Sequence, residues 1–270
     1  MPPAWRNVPV SESAPILEHD PTREAVLEPA QAVPRKNVVP AGLAEACVLC
    51  FVHDAIAALV ADGTLTQVTA LRTEMSPQPV YEFRESGRRV TLVHPGLGAP
   101  MAAAFMEEMI ALGCRRFIAC GGAGVLRSDI AVGHLVVPTA AVRDEGTSYH
   151  YHPPSRELEP TPAAVDAIRS VLDEGGIGHL AGKTWTTDGL YRETPDRIAR
   201  RRAEGCLTVE MECSAFCAVA RFRGVTFGQI LYGGDDVSGL DWDRRDWDRQ
   251  TGVRRRLLHL AAEACLRIAD

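Results

Sequence analysis

The sequence predicts an α/β layered fold with a mostly parallel sheet, and three observations carry that prediction. Short apolar runs alternate with helical stretches along most of the chain. Gly, Pro, Thr and Asp punctuate the junctions where helices start and stop. A chain of 270 residues with 46% hydrophobic content is also long enough to bury one large core.

Residues 1–45 are rich in Pro and Glu with little periodicity and read as an extended N-terminal arm, ahead of a single domain over 46–270. "ACVLCFV" (46–52) is a strand and "DAIAALVAD" (54–62) a helix. "TQVTALRT" (66–73), "PVYEF" (79–83) and "RRVTLVH" (88–94) are strands between turn residues. "MAAAFMEEMIALG" (101–113) is a helix with Gly113 as its stop. "RRFIAC" (115–120) and "VGHLVVPTAAV" (132–142) are strands, the second buried by its continuous apolar run. "TPAAVDAIRSVLDEGG" (161–176) opens on a Thr cap with Pro at the first helical position and closes on Gly. "HLAGKTWTT" (179–187) and "GCLTVE" (205–210) are strands, "MECSAFCAVARFRG" (211–224) a helix, "VTFGQILYGG" (225–234) a strand and 245–268 the closing helix.

The net charge of −6, with no basic run longer than "RRR" at 254–256, argues against a nucleic-acid partner. No apolar run reaches the roughly 18 residues of a membrane span, and "MPPAWRNVPV" lacks the apolar centre of a signal peptide. A cytoplasmic protein without membrane contact is expected. The eight cysteines sit in apolar runs, as reduced buried thiols do. Cys47-Val-Leu-Cys50 has metal-ligand spacing but no companion pair, and on a strand its thiols point to opposite faces, so no metal site is expected.

"FIACGGAGVL" (117–126) places glycines directly after a strand, where backbone can approach a ligand closely. It is neither a dinucleotide fingerprint, since Arg127 stands three beyond Gly124, nor a triphosphate loop, since no Gly-Lys-Ser/Thr follows. "VHPGLGAP" (93–100) is a second glycine loop at a strand end, and ligands of open α/β sheets bind at the strands' carboxyl ends. "TVEMECSAF" (208–216) sets Glu210, Met211 and Glu212 where a strand meets a helix. Buried carboxylates there are costly unless they accept hydrogen bonds, which vicinal hydroxyls supply. "LYGGDDVSG" (231–239) puts Asp235 and Asp236 at the end of another apolar strand.

Taken in order, "PGLGAP" (95–100), "EEMIALGCRRFIACGGAGVL" (107–126), "DIAVGHLVVPTAAVRDEGTSYHY" (129–151), "TTDGLY" (186–191), "VEMECSAF" (209–216) and Asp235 resemble the nucleoside phosphorylase family. That family includes uridine phosphorylases, hexameric purine nucleoside phosphorylases and related nucleosidases. The resemblance runs from about residue 46 to the C-terminus. It implies a three-layer α/β/α fold around a central mixed, largely parallel sheet. It also implies homo-oligomers, dimers or hexamers, with active sites shared between subunits. The implied activity is that of a pentosyltransferase acting on a nucleoside, with inorganic phosphate as co-substrate and no cofactor. Matched residue by residue, Met211 and Glu212 contact the ribose, Glu210 borders the base and Asp235 is the general acid. Leu190 and Tyr191 line the base pocket, and Leu97 packs near the sugar.

The phosphate site departs from the family. The family's Gly-Asp-Pro-x-Arg loop is replaced by "CFVHDAI" (50–56), its loop arginine by Ala119 and its loop hydroxyl by Gly122. Only Arg72 matches an arginine, the one a neighbouring subunit lends. Lost guanidinium groups remove the strong bidentate contacts to phosphate. Three readings stay open. Phosphate is held by substitutes such as Arg72, His53 and the backbone of Gly121, Gly122, Ala123 and Gly124; or water replaces it, with Glu18 or Glu45 as its activator; or a nucleoside binds without turnover. The resemblance favours phosphorolysis. His150 and His152 are further candidates for the site, Arg245 or Arg249 for the partner of Asp235, and Arg143 with Asp144 for a structural pair. Purine and pyrimidine bases are both open.

Overall fold

The computed structural model describes residues 15–18, 20, 24–36, 42–74 and 76–269; residues 1–14 of the expected arm lie outside them. Within the arm, Pro29–Lys36 forms a short helix, α1. Strand β1 (Ala46–Cys50) is buried along its whole length. Alternation sends Cys47 and Leu49 into one core and Ala46, Val48 and Cys50 into the other, so the two thiols are separated by the sheet.

Then follow α2 (His53–Ala61), β2 (Thr66–Arg72), β3 (Pro77–Glu85), β4 (Arg88–Val93) and α3 (Ala99–Ala111). Gly113 takes φ +109° just past α3, as its place in the sequence requires. Next come β5 (Arg116–Val125), β6 (Leu135–Asp144), the short β7 (Glu157–Leu158), α4 (Pro162–Glu174) and β8 (His179–Thr187). The chain closes with α5 (Pro195–Ala203), β9 (Cys206–Glu210), α6 (Cys213–Arg223), β10 (Thr226–Asp236) and α7 (Thr251–Arg267). Thr161 precedes α4 as expected, but its hydroxyl accepts from the Phe227 N–H at 3.1 Å, tying α4 to β10.

The ten strands form one mixed sheet in the order β10-β6-β8-β9-β5-β1-β4-β3-β2, with β7 on β6. β10 also pairs with β5, so β5, β10, β6, β8 and β9 close on themselves while the other strands extend outward from β5. Among the described residues the pairings divide evenly, five parallel and five antiparallel. One face is covered by α2, α4 and α7, which pack Leu59, Ile168 and Leu257 against Val48 and Ile230. The other is covered by α3 and α6, through Met106, Met109 and Phe216 against Leu49 and Phe117. This is the α/β/α layering the sequence predicts. No helix among the described residues is long and apolar enough to cross a membrane.

The glycine run corrects one expectation. Gly121, Gly122 and Gly124 belong to β5 and make no loop leading into a helix. β5 pairs in parallel with β1 through Cys120, and on the same edge pairs antiparallel with β9 from Gly124. Between these partners the edge forks. Cys120 O accepts from Phe51 N–H on that edge, and alternation turns the Gly122 peptide the same way, into the fork, where no strand faces it.

Candidate active site

A cavity of about 270 Å³ occupies this fork. Its floor is Gly121, Gly122, Ala123 and Gly124, and Phe51 and Val52 at the end of β1 close one side. Val209, Glu210, Met211 and Glu212 come from the β9–α6 junction, Leu231, Gly234 and Asp235 from β10, and Leu97 and Leu190 from loops. Trp247 and Arg254 complete the lining from the approach to α7 and its first turn. Glycine keeps the floor uncrowded. A Cβ on Gly122 would lie 3.0 Å from the Tyr232 ring and one on Gly121 3.0 Å from Phe51 Cβ, and the fully buried Tyr232 would have to shift by a few tenths of an ångström.

Glu210 and Glu212 divide the work at the β9–α6 junction. Glu210 Oε2 accepts from the peptide N–H groups of Glu212 (2.8 Å) and Cys213 (2.7 Å), satisfying donors at the start of α6. Its Oε1 accepts from the Thr186 hydroxyl at 2.6 Å. Glu210 thus borders the cavity but spends its carboxylate on positioning the helix. Glu212 Oε1 accepts from Gly98 N–H at 2.6 Å, which fixes the second glycine loop against the first. Its Oε2 has only a long contact, 3.3 Å, from Met211 N–H, and so keeps capacity to accept from a ligand. Burial foremost, and then the neighbouring Glu210, hold the Glu212 carboxyl well above the ordinary carboxylate range. Buried Gln229 also lines the cavity, and its Oε1 has no hydrogen-bond partner within the protein.

Asp235 stands half-buried at the end of β10 and accepts from Trp242 Nε1–H at 2.6 Å. Near it is a second carboxyl, Glu193, which burial first and the charge of Asp235 second push up to about 7. Neither neighbour follows from a motif. Arg245, the expected partner, is paired with Asp236 and donates to Ile130 O, while Arg249 is exposed beside Asp246.

The structure therefore brings together Leu97, Gly121, Gly122, Ala123, Leu190, Glu210, Met211, Glu212 and Asp235. It does not bring Tyr191, which is 94% exposed, or Arg72, which borders a separate cavity of about 490 Å³ with Met101 and Glu108. His150 lines a third cavity with Tyr151 and Arg223, and His152 meets Arg221, both away from the fork. His53 is exposed at the start of α2. Arg143 and Asp144 do not pair with each other. Arg143 donates to Ser148, Ser155 and Pro153 O, whereas Asp144 accepts from Trp185, Arg197 and Arg201. They are adjacent on β6 and so point to opposite faces.

Comparison with known proteins agrees with this architecture. Residues 45–267 match the model of the phosphorylase superfamily. A guanosine phosphorylase of Halorubrum lacusprofundi is 30% identical over 144 residues, 53% of this chain and 60% of that protein. A uridine phosphorylase of Treponema pallidum is 29% identical over 153 residues, 53% of this chain and 59% of that protein. The chain thus spans about three fifths of the length of these curated relatives. In fold, it superposes on a purine nucleoside phosphorylase of Toxoplasma gondii, solved with immucillin-H, with TM-score 0.71 at 20% identity, covering 85% of this chain and 92% of the other. A uridine phosphorylase of Vibrio fischeri gives 0.70 at 23% identity, over 83% and 92%. That family match, which runs over most of the chain from residue 45 to 267, makes this chain a member of the phosphorylase superfamily.

Proposed function

We propose that the protein cleaves the N-glycosidic bond of a nucleoside with inorganic phosphate as acceptor, a pentosyltransferase reaction needing no further cofactor. The observation that carries the reading is one cavity that joins a buried carboxyl with spare acceptor capacity, Glu212, to a half-buried strand-end acid, Asp235, across a backbone floor at Gly122. Glu212 takes the ribose hydroxyls with Met211 beneath the sugar and Leu97 beside it. Asp235 gives its proton to the base, and Leu190 packs on it. The C1′–N bond breaks, its electron pair leaves with the base, and a phosphate oxygen forms the new bond to C1′. The products are free base and ribose 1-phosphate. Positive charge grows on the sugar and negative charge on the base, so both interactions strengthen in the transition state.

Arg72 sits at the end of β2 and does not line this cavity, and its entry into a neighbour's site in a homo-oligomer is part of the same proposal. A cytoplasmic setting and an N-terminal arm over 1–45 belong to the same reading. Hydrolysis is the second reading, favoured by Ala119 and Gly122 standing where the family's phosphate-binding arginine and hydroxyl are expected. Glu18 is exposed, and Glu45 is half-exposed beside Arg116; neither lines the cavity. The test is a panel of purine and pyrimidine nucleosides, each with and without phosphate. Free base together with sugar 1-phosphate, formed only when phosphate is present, is expected. Free sugar identifies a nucleosidase, and binding without products defeats the enzymatic assignment.

A further inference from the structure

Among the described residues lining the cavity, Arg254 is the one cation, and no sequence motif points to it. It comes from the first turn of α7, and its side chain is only 10% exposed. Arg254 Nη1 donates to the Tyr232 hydroxyl at 2.5 Å, and Nε donates to Asp54 at 2.9 Å. Asp54 also accepts from Nη2. Nη1 and Nη2 each retain a further proton to donate.

The placement of Tyr232 gives this cluster its meaning. Its hydroxyl oxygen lies 3.1 Å from the point a Gly122 Cβ would occupy. The buried Tyr232 hydroxyl therefore anchors the Arg254 guanidinium beside the floor at Gly122. On the other face of β5, Ala119 is sealed in the core and Phe51 packs on Gly121, and the charged residues that line the cavity from that side are carboxyls, Glu210 and Glu212. A cation reaches the fork from the α7 side.

Resting on the phosphorolytic reading, we propose that Arg254, held in place by the buried Tyr232 hydroxyl, forms the oxyanion-binding corner of this pocket and donates to oxygens of inorganic phosphate at the Gly122 fork. It replaces the absent loop arginine from the opposite face of the sheet. Asp54 is the internal counter-ion that keeps the buried guanidinium neutralised while the corner is empty. Its carboxylate is 42% exposed, so water solvates it when phosphate accepts hydrogen bonds from the guanidinium. Asp54 thereby sets affinity by competing with the anion.

The test is calorimetric titration of the full chain and its variants with inorganic phosphate, alongside product analysis. Arg254→Gln weakens phosphate binding by about ten- to a hundredfold, the worth of a charge-assisted contact, and Tyr232→Phe weakens it several-fold. Asp54→Asn tightens it, because a competing negative charge is gone. A purely structural ion pair predicts no tightening, so this sign separates the two roles even if Arg254→Gln fails to fold. Unchanged affinity in Arg254→Gln, or weaker binding in Asp54→Asn, overturns the inference. If the wild type forms sugar 1-phosphate while Arg254→Gln titrates like wild type, the corner is wrong and the reaction stands. If the wild type binds phosphate through Arg254 yet releases free sugar, the corner stands and the reaction is wrong.

Discussion

Glu212→Gln lowers turnover by about 10²–10³-fold, the effect of removing a hydrogen-bond partner whose bonds strengthen in the transition state, while the folded protein becomes more stable at neutral pH. The two effects share one cause. The amide keeps an oxygen to accept from Gly98 N–H, so the two glycine loops stay joined. Its other terminus is an NH2 group, a donor where the carboxyl offered the ribose hydroxyls an acceptor. In the wild type, burial and Glu210 raise the Glu212 pKa above the ordinary value of 4.5. The folded chain therefore holds a proton that the unfolded chain has lost over the interval between those two values. Its contribution to stability is complete below the unfolded pKa and falls away as pH rises through the folded one. Glutamine removes that loss. A gain of roughly 2–4 °C in Tm at pH 7, for each kcal/mol recovered, shrinks toward zero as pH falls to the ordinary carboxylate range. Thermal melts of both proteins from acid to mild alkali, paired with steady-state rates, check it. A Tm that drops at neutral pH would show that the Glu212 charge supports the fold.

Asp235→Asn lowers turnover by about 10²–10⁴-fold, the usual range for a lost general acid, with little change in Tm. Its hydrogen bond comes from the exposed Trp242, and asparagine retains an oxygen to accept it. The loss falls on kcat more than on nucleoside affinity, because the proton moves as the base departs. Glu193 does not rescue it, having no bond to the floor or to the β9–α6 junction. Rates near those of the wild type would remove Asp235 from the reaction.

Much of this was legible in the sequence because it depends on local signals. A run of apolar residues ending in acid marks the end of a strand and a candidate pocket group for Glu210, Glu212 and Asp235, while the family resemblance joins these with Met211 in one site, and all four line one cavity. Helix stops such as Gly113 follow from backbone sterics alone. What escaped notice depends on distance or on exceptions to pattern. α5, "PDRIARRRA", carries little apolar periodicity, since only Ile198 and Arg201 are buried. α7 starts at Thr251 and not 245 because Arg245 and Asp246 adopt positive φ. The glycine run reads as a loop by composition, yet its neighbours favour glycine inside a strand, where Phe51 and Tyr232 crowd it. Arg254 meets Asp54 from 200 positions away, and no spacing rule connects them.

The central claim is that the forked edge of β5 is a nucleoside pocket, sugar on Glu212 and base on Asp235. A crystal structure of the protein with a bound nucleoside and inorganic phosphate tests it most directly. Both ribose hydroxyls are expected within hydrogen-bond distance of Glu212, the base edge on Asp235, and phosphate beside Gly122. A nucleoside seated outside the fork, or one whose sugar leaves Glu212 untouched, would contradict it.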